Sequence, residues 1–267
     1  MNDYWQRQTA DKPLFPAMLW SRPENRAFAG KLLIIGGNAQ GFVSPANVYI
    51  EAQRAGIGVA RVLLPDSLAR TLGTAFEAGE FAPSTPSGSF SQKALAEWLD
   101  LANWADGVIL DGDMGRNSET AIVIEKFLAK YPGQVTLSND SVDYLLSPPM
   151  AAAALMRPNA LIVANFSQLQ KLFTAARSPR PLTSELNLVH FVEALHGFSL
   201  QHHAAIMTQH EGRVLIAVEG RVAETPARDK PGKAAPSWQT KAAAHAAVWW
   251  LQNPSRPYEA LASSLVA

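Results

Sequence analysis

An α/β fold with a mostly parallel sheet is what this sequence predicts, and three observations carry the prediction. From Lys31 onward, short apolar runs alternate with longer segments of helical period, the mark of a sheet covered by helices. Ser44-Pro45 opens and Gly56 closes one such segment, giving a cap residue, a first-turn proline and a terminal glycine in helical order. Late in the chain, two apolar runs are parted only by Glu219-Gly220, a hairpin turn that makes the last strands antiparallel.

Residues 1–29 are rich in Pro, Arg and aromatics without a clean period. They read as an arm lying on the domain, which would cover Trp5, Phe15 and Trp20; residues 30–267 read as a single α/β domain. Strands are predicted at 31–35, 59–64, 107–110, 134–137, 160–164, 204–207, 213–218 and 221–225. Helices are predicted at 45–55, 67–78, 91–104, 117–130 and 166–176, then at 184–196 ending on Gly197, and at 239–251, an alanine-rich stretch. Small residues and prolines make 83–91 a surface loop, and 225–237 is a polar loop bearing prolines.

A chain of 267 residues fits one large domain more easily than two. Its 23 basic residues cancel its 23 acidic ones, which removes any broad electrostatic case for nucleic acid or an anionic membrane as partner. With no cysteine there is no disulfide scaffold, thiol nucleophile or thiolate metal site. Charged residues make up 17%, below the ~25% usual for soluble domains, which points to a surface partly covered by other subunits. The amino terminus lacks the basic start and apolar run of a signal peptide, and no stretch approaches the ~18 apolar residues of a membrane span. A soluble, cytoplasmic homo-oligomer is therefore expected.

Ligands of open parallel sheets bind beyond the carboxyl ends of the strands. Four strands here run into polar or flexible residues: Gly36-Gly37-Asn38, Asp111-Gly112-Asp113-Met114-Gly115-Arg116, Ser138-Asn139-Asp140, and Asn165-Phe166-Ser167-Gln168. Together they describe a polar rim, although loops after buried strands are also polar simply because they are wet. Asp111 and Asp113 could hold a hard cation through oxygen. They also resemble the Asp-x-Asp loop of haloacid-dehalogenase-type phosphatases, except that Gly115 stands where that loop usually has threonine. The six histidines, His202-His203 included, lack metal-ligand spacing on a helix and read as structural or surface residues. Trp249-Trp250 reads as core and interface. The free amides opening the helix near Gln239 would form an anion site if they face the rim, with Lys230, Lys233 and Lys241 near in sequence; solvated surface is the other reading of those lysines.

The order of these loops resembles that of the ADP/ATP-dependent NAD(P)H-hydrate dehydratases, members of the ribokinase-like superfamily. Arg22-Pro23, then Gly30-Lys31 through Gly36-Gly37-Asn38, is similar to the family's opening, and Ala55-Gly56-Ile57-Gly58 to its Ala-Gly-x-Gly. The segment from Ala105 to Arg116 looks like its strand and Gly-Pro-Gly-Leu-Gly loop, Ser138 to Asp143 like its Asp-Ala-Asp-Ala-Leu-Asn, and 158–169 sits where it has Thr-Pro-His-x-x-Glu. The resemblance implies a three-layer ribokinase-like fold, binding of ATP or ADP with Mg2+, a nucleotide or dinucleotide partner, and a homo-oligomer. It also implies substrate contacts at Asn38, Gly115 and Asn165, and nucleotide contacts at Thr208, Gln239 and Thr240.

The chain departs from that pattern where charge is needed. Thr240 stands at the position of the family's aspartate base, Asn165 at its histidine, Gln168 at its glutamate, and Gln239 replaces a glycine. A threonine hydroxyl has no acid–base pKa near neutrality, which leaves Asp113 and Asp140 as the nearest candidates for a catalytic base. Three functions remain open at this point: the dehydratase, an inactive nucleotide-binding or structural homo-oligomeric relative, and a small-molecule kinase of the same superfamily.

Overall fold

A computed structural model describes residues 3–73, 75–227 and 237–267. In chain order the first half comprises β1 (Trp5–Arg7), α1 (Pro16–Trp20), β2 (Lys31–Ile35), α2 (Val43–Arg54), β3 (Val59–Pro65), α3 (Ala69–Leu72), β4 (Gly79–Ala82), α4 (Leu95–Trp104), β5 (Gly107–Leu110) and α5 (Ser118–Lys130). The second half comprises β6 (Gln134–Ser138), α6 (Pro148–Leu155), β7 (Ala160–Ala164), α7 (Phe166–Ala175), α8 (Leu188–Gln201), β8 (Ala205–His210), β9 (Arg213–Val218), β10 (Arg221–Pro226), α9 (Trp238–Gln252) and α10 (Pro257–Ser263).

All ten strands form one sheet in the order β1-β10-β9-β8-β7-β6-β5-β2-β3-β4. Among the described strands only the β8–β9 and β9–β10 pairings are antiparallel. β2 shows why the sheet sits in the middle of three layers. Leu33 and Ile35 pack into the core formed with α4 to α8, while Leu32 and Ile34 pack into that formed with α2 and α9. A strand sandwiched in this way reads as an unbroken apolar run. α9 belongs to the second layer. Its alanines let it lie close against the sheet, with Trp249 and Trp250 buried beside α1 and α10. The Glu219-Gly220 turn has both residues at positive φ, as a two-residue hairpin with the sheet's twist demands.

Several expectations change. The predicted helix at 67–78 is only α3; Gly73 ends it at φ 49°, and the chain then extends as β4 beside β3. α8 does not stop at Gly197 but runs to Gln201, because Phe198 on its next turn stacks against Phe173 at 4.0 Å. The 83–91 segment is no plain surface loop: Phe90 is fully buried edge-on to Trp98, and Thr120 donates to its carbonyl. Ser44 does not cap α2, whose first residue is Val43; its hydroxyl turns to Asp111 instead. β1, β4, α1, α6 and α10 went unpredicted. Trp20 is 89% exposed rather than covered, while Trp5 and Phe15 are partly buried. No helix among the described residues is long and apolar enough to cross a membrane.

The early residues are tied down at several points, Gln8 bonding to Thr225 and to the Ala262 carbonyl and Gln6 accepting from Tyr258, and one of the ties is a buried carboxylate. Glu224 on β10 is 1% exposed and accepts from Trp5 Nε1 at 2.9 Å, Arg7 Nε at 3.0 Å, and Arg213. These bonds fix β1 in parallel register, Trp5 opposite Val222. Glu224→Ala is expected to lower stability by about 2 kcal/mol, and to release β1 before the rest unfolds. Urea unfolding together with limited proteolysis near residue 7 checks both parts.

Candidate functional site

The strand ends of β2, β5 and β6 meet the first turns of α2 and α9 around one buried carboxyl group. Asp111 follows β5 and is completely buried. Its Oδ1 accepts from Ser138 Oγ and Asn139 Nδ2, and its Oδ2 from Ser44 Oγ, each at 2.6 Å. Burial pushes its pKa up even against the pull of these hydrogen bonds and of the Gly112 amide. Asp111 is therefore fully engaged and holds the rim together.

Asn139 carries the network outward. At φ 53° it occupies the left-handed region, which asparagine tolerates better than most residues. Its Nδ2 also donates to Thr240 Oγ1 at 3.0 Å, and its Oδ1 accepts from Ser237 Oγ at 3.1 Å. Ser237 is the N-cap of α9 and accepts from the Thr240 amide at 3.1 Å. The Thr240 hydroxyl thus stands at the front of α9, tied to neutral partners on two sides.

These groups line a cleft of about 440 Å³ bounded by Val43, Ser44, Asn47, Gly112, Asp113, Asn139, Asp140, Ser237 and Thr240. Asp113, at φ 60°, accepts from the Ser44 amide at 2.8 Å, placing negative charge at the positive end of α2. Asp140 differs from both other aspartates. Its Oδ1 is buried yet meets no hydrogen-bond donor among the described residues. Burial first, then the charges of Asp111 and Asp113, push its pKa up to about 7. Gly112 makes the space: a Cβ there would lie 2.8 Å from Ser44 Oγ and 3.1 Å from Asp140 Oδ1. No three His, Asp or Glu side chains among the described residues converge to hold a metal ion.

Of the described residues, the others marked in the sequence do not line this cleft. Asn38 and Gly115 sit together, since a Cβ on Gly115 would be 3.3 Å from Asn38 Nδ2 and 3.1 Å from Ser89 Oγ. Asn165 caps α7 in a reciprocal pair with Gln168, whose Nε2 donates to the Asn139 carbonyl at 2.7 Å. Gln239 turns inward, its Nε2 donating to Gln168 Oε1 and the Val163 carbonyl, each at 3.0 Å. Thr208 is fully buried within β8 and its hydroxyl has no partner among the described residues. Lys230 and Lys233 lie outside the described residues, and Lys241 is exposed on α9. Ser44 was marked in the sequence only as a helix cap and Ser138 and Asn139 only as members of the polar rim, and Ser237 was given no role at the site. Nothing in a lone Ser or Asn announces that it will meet a buried carboxylate from another loop.

No protein-family model matches the chain, and no curated protein matches its sequence. Solved structures do resemble it. A ribokinase-like superfamily protein from Enterococcus faecalis superposes with a TM-score of 0.72 at 14% identity, over 100% of this chain and 87% of that one. An ADP/ATP-dependent NAD(P)H-hydrate dehydratase from Bacillus subtilis, co-crystallised with ATP and Mg2+, gives 0.60 at 12% identity, over 94% and 85%. Bacillus subtilis pyridoxal kinase, as its ADP complex, gives 0.50 at 15% identity, over 88% of each chain. The fold is that of these ribokinase-like neighbours.

Because the folded pKa of Asp140 lies above its unfolded value near 4, the native state holds the extra proton between about pH 4 and 7. That contribution is complete below the unfolded pKa and is lost as pH rises through 7. Wild-type stability is therefore expected to fall from pH 5 to pH 8, with buried Asp111 acting in the same direction. Asp140→Asn should flatten the curve and gain on the order of 1–3 kcal/mol at pH 8. Urea midpoints across that range decide it.

Proposed function

We propose that this chain is a small-molecule-binding relative of the ribokinase-like enzymes whose cleft takes a hydroxyl-bearing ligand, such as a nucleoside or dinucleotide, without ATP-driven chemistry. The observation that carries the reading is the state of Thr240. Where the family resemblance asks for a carboxylate base, a hydroxyl stands bonded to Asn139 and Ser237, and it cannot accept a proton at neutral pH.

The residues described here also do not fit a Mg2+–triphosphate. The Thr240 amide is taken by the Ser237 hydroxyl, and no Lys or Arg among the described residues lines the cleft. Asp111 has its oxygens occupied by four donors and has none left for a metal. The cleft offers acceptors instead: Asp113, Asp140 and the Thr240 hydroxyl. Acceptors of this kind suit the adjacent hydroxyls of a ribose better than a phosphate, which they would repel.

One observation favours catalysis as a second reading. Asp140 stands inside the cleft with its pKa pushed up to about 7 and its Oδ1 unpaired among the described residues, the condition of a group that exchanges protons with a ligand.

One set of measurements separates the two. Thermal shift at pH 7 is expected to give stabilisation by adenosine and by oxidised or reduced NAD, and no more by ATP with Mg2+ than by adenosine. Hydrated NADH with ATP or ADP is expected to show no recovery of absorbance at the reduced-nicotinamide band. Recovery gained by the double change Gln239→Gly, Thr240→Asp would show that the cleft still takes ATP, against this reading. Recovery in the wild type that vanishes in Asp140→Asn would establish the catalytic reading instead. Absence of stabilisation by every nucleoside and dinucleotide would leave only a structural role.

A further inference from the structure

A second cavity, of about 410 Å³, lies between α8 and the turn that follows α7, on the layer of the sheet opposite α9. It is lined by residues that the reading above does not use, and it is built from three distinct parts.

One wall is a fixed aromatic pair. The ring of His196 donates from Nδ1 to the Gly220 carbonyl, and Tyr4 lies flat on it with centroids 3.7 Å apart and planes 11° from parallel. The facing wall is the turn 177–180. Arg177 holds φ 54°, the Ser178 amide returns to the Phe173 carbonyl at 2.9 Å, and Ser178 Oγ donates to the Arg180 carbonyl at 3.3 Å. This turn brings Arg180 over α8, where it meets Glu193 at 3.6 Å, the two side chains being 68% and 36% exposed.

The floor includes Gly197. A glycine inside a helix costs about 1 kcal/mol relative to alanine, and it usually answers to a close neighbour. Here a Cβ would meet no atom within 4 Å. Packing does not require this glycine; what its missing side chain supplies is room in the cavity.

We propose that this cavity binds a free α-amino acid, its carboxylate on Arg180, its ammonium on Glu193, and its side chain over Gly197 against the His196–Tyr4 wall. A zwitterion is the ligand that satisfies both charges at once. The exposed Arg180–Glu193 pair holds itself together by no more than about 1 kcal/mol, so a ligand bearing both signs replaces it at little cost. The guanidinium fork suits a carboxylate bidentately, and the prearranged aromatic wall lowers the ordering cost of binding. The cavity's size is in the range of small-ligand sites. This proposal is independent of the reading given for the Asp111 cleft.

Thermal shift of the whole protein against the twenty free L-amino acids, each at about 10 mM, tests it. One or a few are expected to raise Tm by about 3 °C, the effect of ligand near ten times its Kd. The matching amino acid amides and decarboxylated amines should give no shift. Arg180→Ala and Glu193→Ala should each abolish the response. Gly197→Leu should abolish it too while leaving the ligand-free Tm unchanged or raised; Gly197→Ala, a smaller intrusion, gives the graded version if the leucine variant does not fold. No shift with any amino acid, an equal shift with the decarboxylated amines, or a response that survives both Arg180→Ala and the glycine substitutions would overturn it.

Discussion

A carboxyl group cut off from water must find its hydrogen bonds inside the protein, and Asp111 finds them on two segments apart from its own loop. Ser44 brings the first turn of α2, Ser138 the end of β6, and Asn139 the loop beyond it. Through Asn139 the same set reaches Ser237 and Thr240, which ties the front of α9 to the rim. Remove this centre and the strand ends would still pair, but the loops that follow them would lose the tie they share. The cleft is a by-product of satisfying one buried acid.

Sheet and rim rest on different interactions. The sheet order and the two helical layers depend on apolar packing, which is indifferent to what stands at the rim. The rim depends on a hydrogen-bond network in which Thr240, Asn139 and Ser237 serve one another. The partners at the front of α9 are neutral: Asn139 and Ser237. The acid that remains near neutrality is Asp140, placed by its own loop rather than by the helix.

Much of this architecture was legible in the sequence, for identifiable reasons. Eight strands announced themselves as apolar runs because both of their faces are covered, and the last hairpin because its turn needs two residues at positive φ. β1 and β4 did not, since three- and four-residue edge strands with half-exposed side chains carry too little pattern. α8 was ended too soon at Gly197 because a glycine that serves a cavity looks the same in sequence as one that stops a helix. The rim was legible as a set of polar loops. The role of Asp111 was not: carboxylates that bind a ligand and those that bind neighbouring loops are written identically, and only burial separates them.

The Glu224 anchor sets an order on how this chain matures during synthesis. Trp5 and its partner are 219 residues apart in sequence, so at translation speeds of about 10 residues per second the leading segment waits some ~20 seconds for its strand partner. Through that interval the edge of the growing sheet is open and two aromatic side chains beside it, Tyr4 and Trp5, have no place to go. Closure of that edge is a late event, and a ribosome-bound intermediate lacking it is the form of this protein with most reason to meet a chaperone.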